Sequence, residues 1–418
     1  MTKRLLLVLT EFPPSFGGMQ THALELSRWL HDQGYYVEVA TYRLEQGPAE
    51  LPVFPFQVHR VLSRVAYQAN LRMLMRLGQE MNADLIYSST VYYGELSSLT
   101  GIRVICRSAG NDVMRPWIAW PFVWGSRLLS FGWVERQLYR RWKHWQWPES
   151  LESILLKRRM CLMKNSAKQM ERIFANSDYT HKLLTNLEIP EARLLTLSGG
   201  VDFAYFSSGS RCREKLRMSP GDFYLLTACR MVEKKGLDVL IVAMKILVDR
   251  GIDLRLIIAG EGKERCRIEA MIADLNLSGR IELLGYLTHE ALRDYLHAVD
   301  AFALSSKEVV HPKTGLKDAE TMGRVLCEAS ACGLPLIATA SGGIPSIVED
   351  GYNGLLAQPG NAVDLADKIE QIWNNRQLAH FLGANGQRRA RDSFDWPVLF
   401  ATHQSTIEKL IQTRSKTQ

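Results

Sequence analysis

Residues 224–259 read YLLTACRMVEKKGLDVLIVAMKILVDRGIDLRLIIA. Residues 224–229 and 254–259 are short apolar runs of strand length. Between them Leu237, Leu240, Ile241, Met244 and Leu247 share one helical face, which predicts a helix over 237–249. Short apolar strands alternating with amphipathic helices mean a parallel sheet covered on both faces. The pattern extends outward. Residues 281–284, 301–304 and 336–338 are further strands, and 4–9, 36–41, 84–88 and 103–107 match them in the first half, with a helix over 19–33. Two such series imply an α/β protein with two doubly wound, Rossmann-like domains. The break falls near 203–213, where Ser207-Ser208-Gly209-Ser210 interrupts the pattern. The expected domains are 1–205 and 206–395, followed by an amphipathic helix from Trp396.

The 418 residues are 46% hydrophobic and 23% charged, which excludes wholesale disorder and collagen-like repeats. Apolar runs such as 5–9 fall far short of the ~20 residues that cross a bilayer. The N-terminus, Met1-Thr2-Lys3-Arg4 before five apolar residues, reads as a first strand and not as a signal peptide. Seven cysteines include no C-x-x-C pair, the usage of a reducing compartment, so a cytoplasmic location and no zinc site are expected.

The net charge of +7 is unevenly spread. Residues 115–172 hold 12 basic and 4 acidic side chains, and 115–147 alone hold seven of the ten tryptophans: Trp117, Trp120, Trp124, Trp133, Trp142, Trp145 and Trp147. Indoles with cations are the composition of a membrane-interface element. Val134, Leu138, Trp142 and Trp145 follow helical spacing, with Arg136, Arg140, Arg141 and Lys143 mostly between them. An anionic membrane surface is the expected partner of residues 115–147. The alternative is a packed helical insertion with a solvated basic face. Nucleic acid is not expected, because no recognition module accompanies the charge.

In doubly wound folds ligands sit in the loops after the strands. After the first strand, Gly17-Gly18 precedes a helix and lets backbone N–H groups approach an anion. Arg230 ends a strand and Lys235-Gly236 opens the next helix, two cations that suit a diphosphate. The strongest local signal is Glu320-Thr321-Met322-Gly323-Arg324-Val325-Leu326-Cys327-Glu328. Glu328 lies in an apolar helix, where an unpaired carboxylate is costly. Glu320 lies at or just before the helix start, up to ~12 Å away at ~1.5 Å per residue. The N–H groups around Met322–Arg324 form an anion site between them. An extended sugar nucleotide fits that layout. His22, on the first helix, reads as a solvated or partly packed histidine.

Taken together, Gly17-Gly18-Met19, Arg230 with Lys235-Gly236, Glu320-x7-Glu328 and Ser341-Gly342-Gly343-Ile344-Pro345 resemble the retaining GT-B glycosyltransferases of family 4. Ala259-Gly260-Glu261-Gly262, Ala175-Asn176-Ser177 and Gly200-Val201-Asp202 match lesser segments in the right order. The resemblance implies two Rossmann-like domains facing a central cleft, with the helix 396–418 returning to the N-terminal domain. It implies a sugar donor carrying UDP or GDP, bound mainly by the C-terminal domain, with no other cofactor and no metal. Arg230 and Lys235 would neutralise the diphosphate, aided by Gly17 and Gly18. Glu320 would grip sugar hydroxyls, and Glu328 the ribose. The backbone at Met322, Gly323, Arg324 and Val325 would contact sugar and phosphate. Arg230, Lys235 and Glu320 are thus the expected catalytic residues.

The family often carries His-Gly-x-Asp after an N-terminal-domain strand. Here the stretch is Ala109-Gly110-Asn111-Asp112, with Ala109 in place of the His. The expected activity is transfer of a sugar to a lipid-linked or cell-surface glycan at the cytoplasmic membrane face. A soluble acceptor, or a catalytically silent partner subunit of a polysaccharide assembly complex, are the alternatives.

Overall fold

Leucine or valine fills every position from Leu5 to Val8, so this strand has no polar face to show water and must lie inside a sheet. β1 (Arg4–Val8) is flanked by β2 (Tyr36–Tyr42), β3 (Gln57–Leu62), β4 (Leu85–Ser88), β5 (Val104–Ser108), β6 (Arg172–Ala175) and β7 (Leu194–Thr196). All pair in parallel, in the order β3-β2-β1-β4-β5-β6-β7. The computed structural model describes residues 2–14, 17–44, 51–64, 66–114, 137, 149–211, 213–310, 312 and 315–415. It divides into two units: Met1–Leu197 with Pro312–Leu316 and Phe400–Gln418, and Ser198–His311 with Lys317–Leu399.

The second unit is built on β8 (Phe223–Ala228), β9 (Leu254–Ala259), β10 (Ile281–Gly285), β11 (Ala301–Leu304), β14 (Leu336–Thr339) and β15 (Gly354–Ala357). Their order is β10-β9-β8-β11-β14-β15, again all parallel. Successive side chains alternate between two cores. Leu225, Leu256, Ile258, Ala303 and Ile337 face the helices Leu237–Asp249 and Ala362–Asn374. Leu226, Ile257, Phe302, Leu304, Leu336 and Ala338 face the helix Arg324–Ala331. Leu237, Leu240, Ile241, Met244 and Leu247 are all buried, as their spacing predicts. Both units are therefore doubly wound α/β sheets. A separate hairpin, β12 (Val309–Val310) with β13 (Lys317–Asp318), pairs antiparallel.

Four strands escape the hydrophobic pattern. β3 carries Gln57, His59 and Arg60 on an edge and is only partly buried along most of its length. β6 begins with Arg172, β7 has three residues, and β15 begins with Gly354. Each is recruited by a neighbouring strand whose ladder groups need partners. Within the insertion 115–172, the helix Glu149–Ala167 is described, whereas the Trp/Arg-rich stretch lies outside the described residues apart from position 137. The expected division at 205 sits inside the helix Phe203–Ser207. The N–H groups of Gly200 and Val201 both donate to the Phe394 carbonyl at 3.0 Å, so this segment belongs with the second unit.

The last helix, Trp396–Ser415, joins the first unit from Phe400 onward. Trp29 Nε1 donates to Gln404 Oε1 at 3.2 Å and Tyr35 Oη to Glu408 Oε1 at 3.0 Å. His403 is fully buried, 4.1 Å from the Phe174 ring centroid to centroid. Burial, and then the nearby Arg107 charge, hold its imidazole well below the usual range, so it stays neutral. His22 is not solvated. It is buried, with ring centroids 5.6 Å from Phe400 and 5.9 Å from His403.

Candidate active site

The strand order of the second unit reverses between β8 and β11, and the crevice outside their carboxyl ends is where such sheets take ligands. Beyond β8 come Cys229, exposed Arg230 and a short 3₁₀ turn, Glu233–Lys235. Gly236 follows with φ 61°, and a Cβ there would lie 2.1 Å from the Ser305 carbonyl oxygen. Only glycine lets the turn close onto the end of β11. Two bonds complete that closure: the Lys307 N–H donates to the Lys234 carbonyl at 2.8 Å, and Ser305 Oγ to the Lys235 carbonyl at 3.1 Å.

Glu320 is not on the helix, which begins at Arg324; it lies in the segment between β13 and that helix. Its backbone is held from the far side, where the Gly343 N–H donates to the Glu320 carbonyl at 2.8 Å. Lys235 Nζ pairs with Glu320 Oε2, both side chains 12% exposed. Burial disfavours both charges, yet their attraction wins. Glu320 is held below the usual carboxylate range by Lys235, then Lys234 and Arg230, and Lys235 is held above its usual range chiefly by Glu320. Two expected catalytic residues are thus bound to each other across the switch point.

Gly323, with φ 85°, caps the helix Arg324–Ala331 and turns its first N–H groups outward at the end of β11. Met322 is buried, and its sulfur accepts the Gly199 N–H at 3.3 Å, so its side chain anchors the turn. Glu328 is buried, as its sequence context implies, but it is not unpaired: Arg324 Nη2 lies 3.1 Å from its Oε1, one turn earlier. Both expected donor carboxylates therefore sit against cations of the same site.

Sequence reasoning missed Lys234 and Asp318. Lys234 is buried and donates to Asp318 Oδ1 at 3.0 Å and to the Ala319 carbonyl at 3.2 Å. The adjacent lysines at 234 and 235 were the available signal, since neighbours in a tight turn point in different directions.

The first unit carries the remaining expected positions. Gly17 caps the helix Gly18–Asp32 beyond β1. Ala109 follows β5, and its carbonyl accepts from Asn176 Nδ2 at 3.2 Å. Nearby Asp112 is buried and accepts from Ser108 Oγ at 2.7 Å and the Val91 N–H at 3.0 Å. Burial raises its carboxyl above the usual range against those bonds. This aspartate shapes the loop; the methyl of Ala109 offers no hydrogen bond at the position where the family often has histidine.

Glu328→Ala is expected to weaken nucleotide binding by about 10- to 100-fold, the loss of charge-assisted hydrogen bonds worth roughly 1.5–3 kcal/mol. Calorimetry with UDP and GDP checks it. Unchanged affinity in a folded variant removes Glu328 from the ribose role.

Residues 210–389 match the family model described as Glycosyl transferases group 1, and residues 16–205 match Glycosyltransferase Family 4. The uncharacterized glycosyltransferase MJ1178 of Methanocaldococcus jannaschii is 34% identical over 184 residues, 44% of this chain and 47% of that protein. The chain thus spans about half the length of that relative. The GDP-mannose-dependent monoacylated alpha-(1-6)-phosphatidylinositol monomannoside mannosyltransferase of Corynebacterium glutamicum is 22% identical over 410 residues, covering 95% of this chain and 96% of that one. Among solved structures, HepE of Anabaena in complex with UDP-glucose superposes with a TM-score of 0.70 at 18% identity, over 97% of this chain and 99% of that one.

Proposed function

Because the chain belongs to the group 1, family 4 glycosyltransferases, we propose that it transfers a sugar from a nucleoside-diphosphate sugar to a hydroxyl of a lipid-linked or cell-surface glycan. The transfer retains the anomeric configuration, needs no metal, and takes place at the cytoplasmic membrane face. The observation that carries the donor reading is the pairing of Lys235 with Glu320 beside Arg230, at the switch point and next to a helix N-terminus. Fixed cations and a helix terminus stabilise the charge that develops as a diphosphate leaves. The leaving phosphate itself accepts the acceptor proton, so no protein nucleophile is required. Two relatives support such a donor, one by its name, GDP-mannose-dependent, and one by its bound UDP-glucose.

Thermal-shift measurements against a panel of UDP- and GDP-sugars test the donor. A ligand at 100 times its Kd adds about 2.7 kcal/mol to the folded state. A panel in which neither the sugar nucleotides nor UDP and GDP stabilise the protein overturns the reading.

The membrane half of the proposal rests on the Trp/Arg-rich stretch and on the helix that follows it. No helix among the described residues is long and apolar enough to cross a membrane. The helix Glu149–Ala167 exposes Ile154, Lys157 and Arg158, two cations one turn beyond an apolar side chain. Each basic residue near an anionic leaflet contributes about 1 kcal/mol, weakened by salt, whereas buried indoles add a term that salt does not screen. Anionic vesicles should therefore bind the protein well at low salt and less, though still measurably, at high salt. Replacing Arg136, Arg140, Arg141 and Lys143 with Gln should release most of it and spare nucleotide binding. Equal co-sedimentation with anionic and zwitterionic vesicles returns this stretch to packing and solvation.

A further inference from the structure

We infer that Lys234 is a positioning residue that holds the backbone of Glu320 in place while Lys235 exchanges the Glu320 carboxylate for the donor diphosphate, an inference that rests on the donor site proposed above. Lys235 Nζ pairs with the Glu320 carboxylate. A diphosphate between Arg230 and Lys235 competes for the same ammonium, so donor binding loosens that pair at the moment the sugar hydroxyls need Glu320.

Something else must keep the segment from moving. The β12–β13 hairpin, with Val309 opposite Asp318 and Val310 opposite Lys317, is too short to do so alone. Lys234 supplies the tie. Its ammonium donates to Asp318 Oδ1 at 3.0 Å and to the Ala319 carbonyl at 3.2 Å, with the two side chains 10% and 14% exposed. Water screens such a pair far less than a surface one. The Lys234 backbone is itself fixed to the end of β11 through the Lys307 N–H, and the Gly343 N–H takes the Glu320 carbonyl on the other side. Every one of these bonds spares the Glu320 carboxylate. Adjacent lysines on one turn thus divide the work: one grips the backbone, and the other is available to ligand.

Amide hydrogen exchange of residues 318–322 tests this division. In nucleotide-free protein, Lys234→Met should speed exchange there about ten-fold, with β8 and β11 amides at wild-type rates. Lys234→Arg, which keeps the charge, should restore protection, and Lys235→Met should speed exchange of these amides less than Lys234→Met does. Saturating UDP should leave the wild-type segment protected and speed exchange further only in Lys234→Met. Wild-type protection in Lys234→Met, equal loss in Lys235→Met, or no rescue by arginine each overturns the inference. If neither UDP nor GDP binds the wild type, the donor reading fails, while the nucleotide-free arms still decide whether Lys234 pins the segment.

Discussion

Lys235→Ala is expected to lower kcat at saturating donor by about 100- to 1,000-fold while raising the donor KM less than ten-fold. In the leaving-group role proposed above, the charge of Lys235 is most valuable when the diphosphate has gained negative charge and the sugar has not yet been accepted, so the transition state loses more than the ground state. Glu320 complicates the variant, because its carboxylate is left buried with a weaker set of cations. Breaking a buried pair from one side costs about 3–5 kcal/mol, so thermal unfolding must accompany the kinetics. Arg230→Ala is the cleaner companion. Arg230 is exposed, and its removal should reduce kcat about ten-fold or more without a comparable loss of stability. The wild-type pair should stabilise the fold over a broad pH range. Glu320, depressed from 4.5, contributes stability above its unfolded value, and Lys235, raised from 10.5, contributes below its own. The pair's contribution is therefore flat from about pH 5 to about pH 10 and fades only outside that window. Intact turnover at saturating donor in both variants removes them from the leaving-group role.

Gly342→Val is expected to abolish most turnover and to lower the unfolding midpoint by about 5–10 °C. Gly342 has φ 56°, and a Cβ there would lie 2.0 Å from the Glu320 carbonyl oxygen and 3.3 Å from the Ala319 Cβ. A β-branched residue in the left-handed region costs about 1–3 kcal/mol even with open space around it. Here the space is occupied by backbone, so Glu320 must move or the turn must open, and the Gly343 bond to the Glu320 carbonyl is lost either way. Turnover measured well below the new midpoint separates the displaced carboxylate from global unfolding. Wild-type kcat in the folded variant removes this turn from the positioning of Glu320.

The two predictions concern different kinds of information. Lys235 stands out in sequence because a cation opens a helix after a strand. Gly342 stands out there only through family resemblance, since two glycines in a row mark many turns. The reason for glycine at 342 is a carbonyl 22 positions earlier in the chain, which no local pattern shows.

Both doubly wound units follow from sequence periodicity, because parallel strands buried on both faces must be apolar at every position and their covering helices must carry one apolar face. Leu5–Val8 and the 237–247 stripe carry that signal plainly. β3 and β7 do not, since an edge or very short strand buries too little surface to constrain its composition, and β6 and β15, though buried, offer only three apolar residues each behind Arg172 and Gly354. The candidate site residues were equally visible as residue types at strand ends and helix starts. Their partnerships were not. Lys235 with Glu320, Arg324 with Glu328 and Lys234 with Asp318 all depend on which side chain a turn presents, and the first and last join segments more than 80 positions apart. A sequence states which charges exist; the close approach of β8 and β11 at the switch point decides which of them meet.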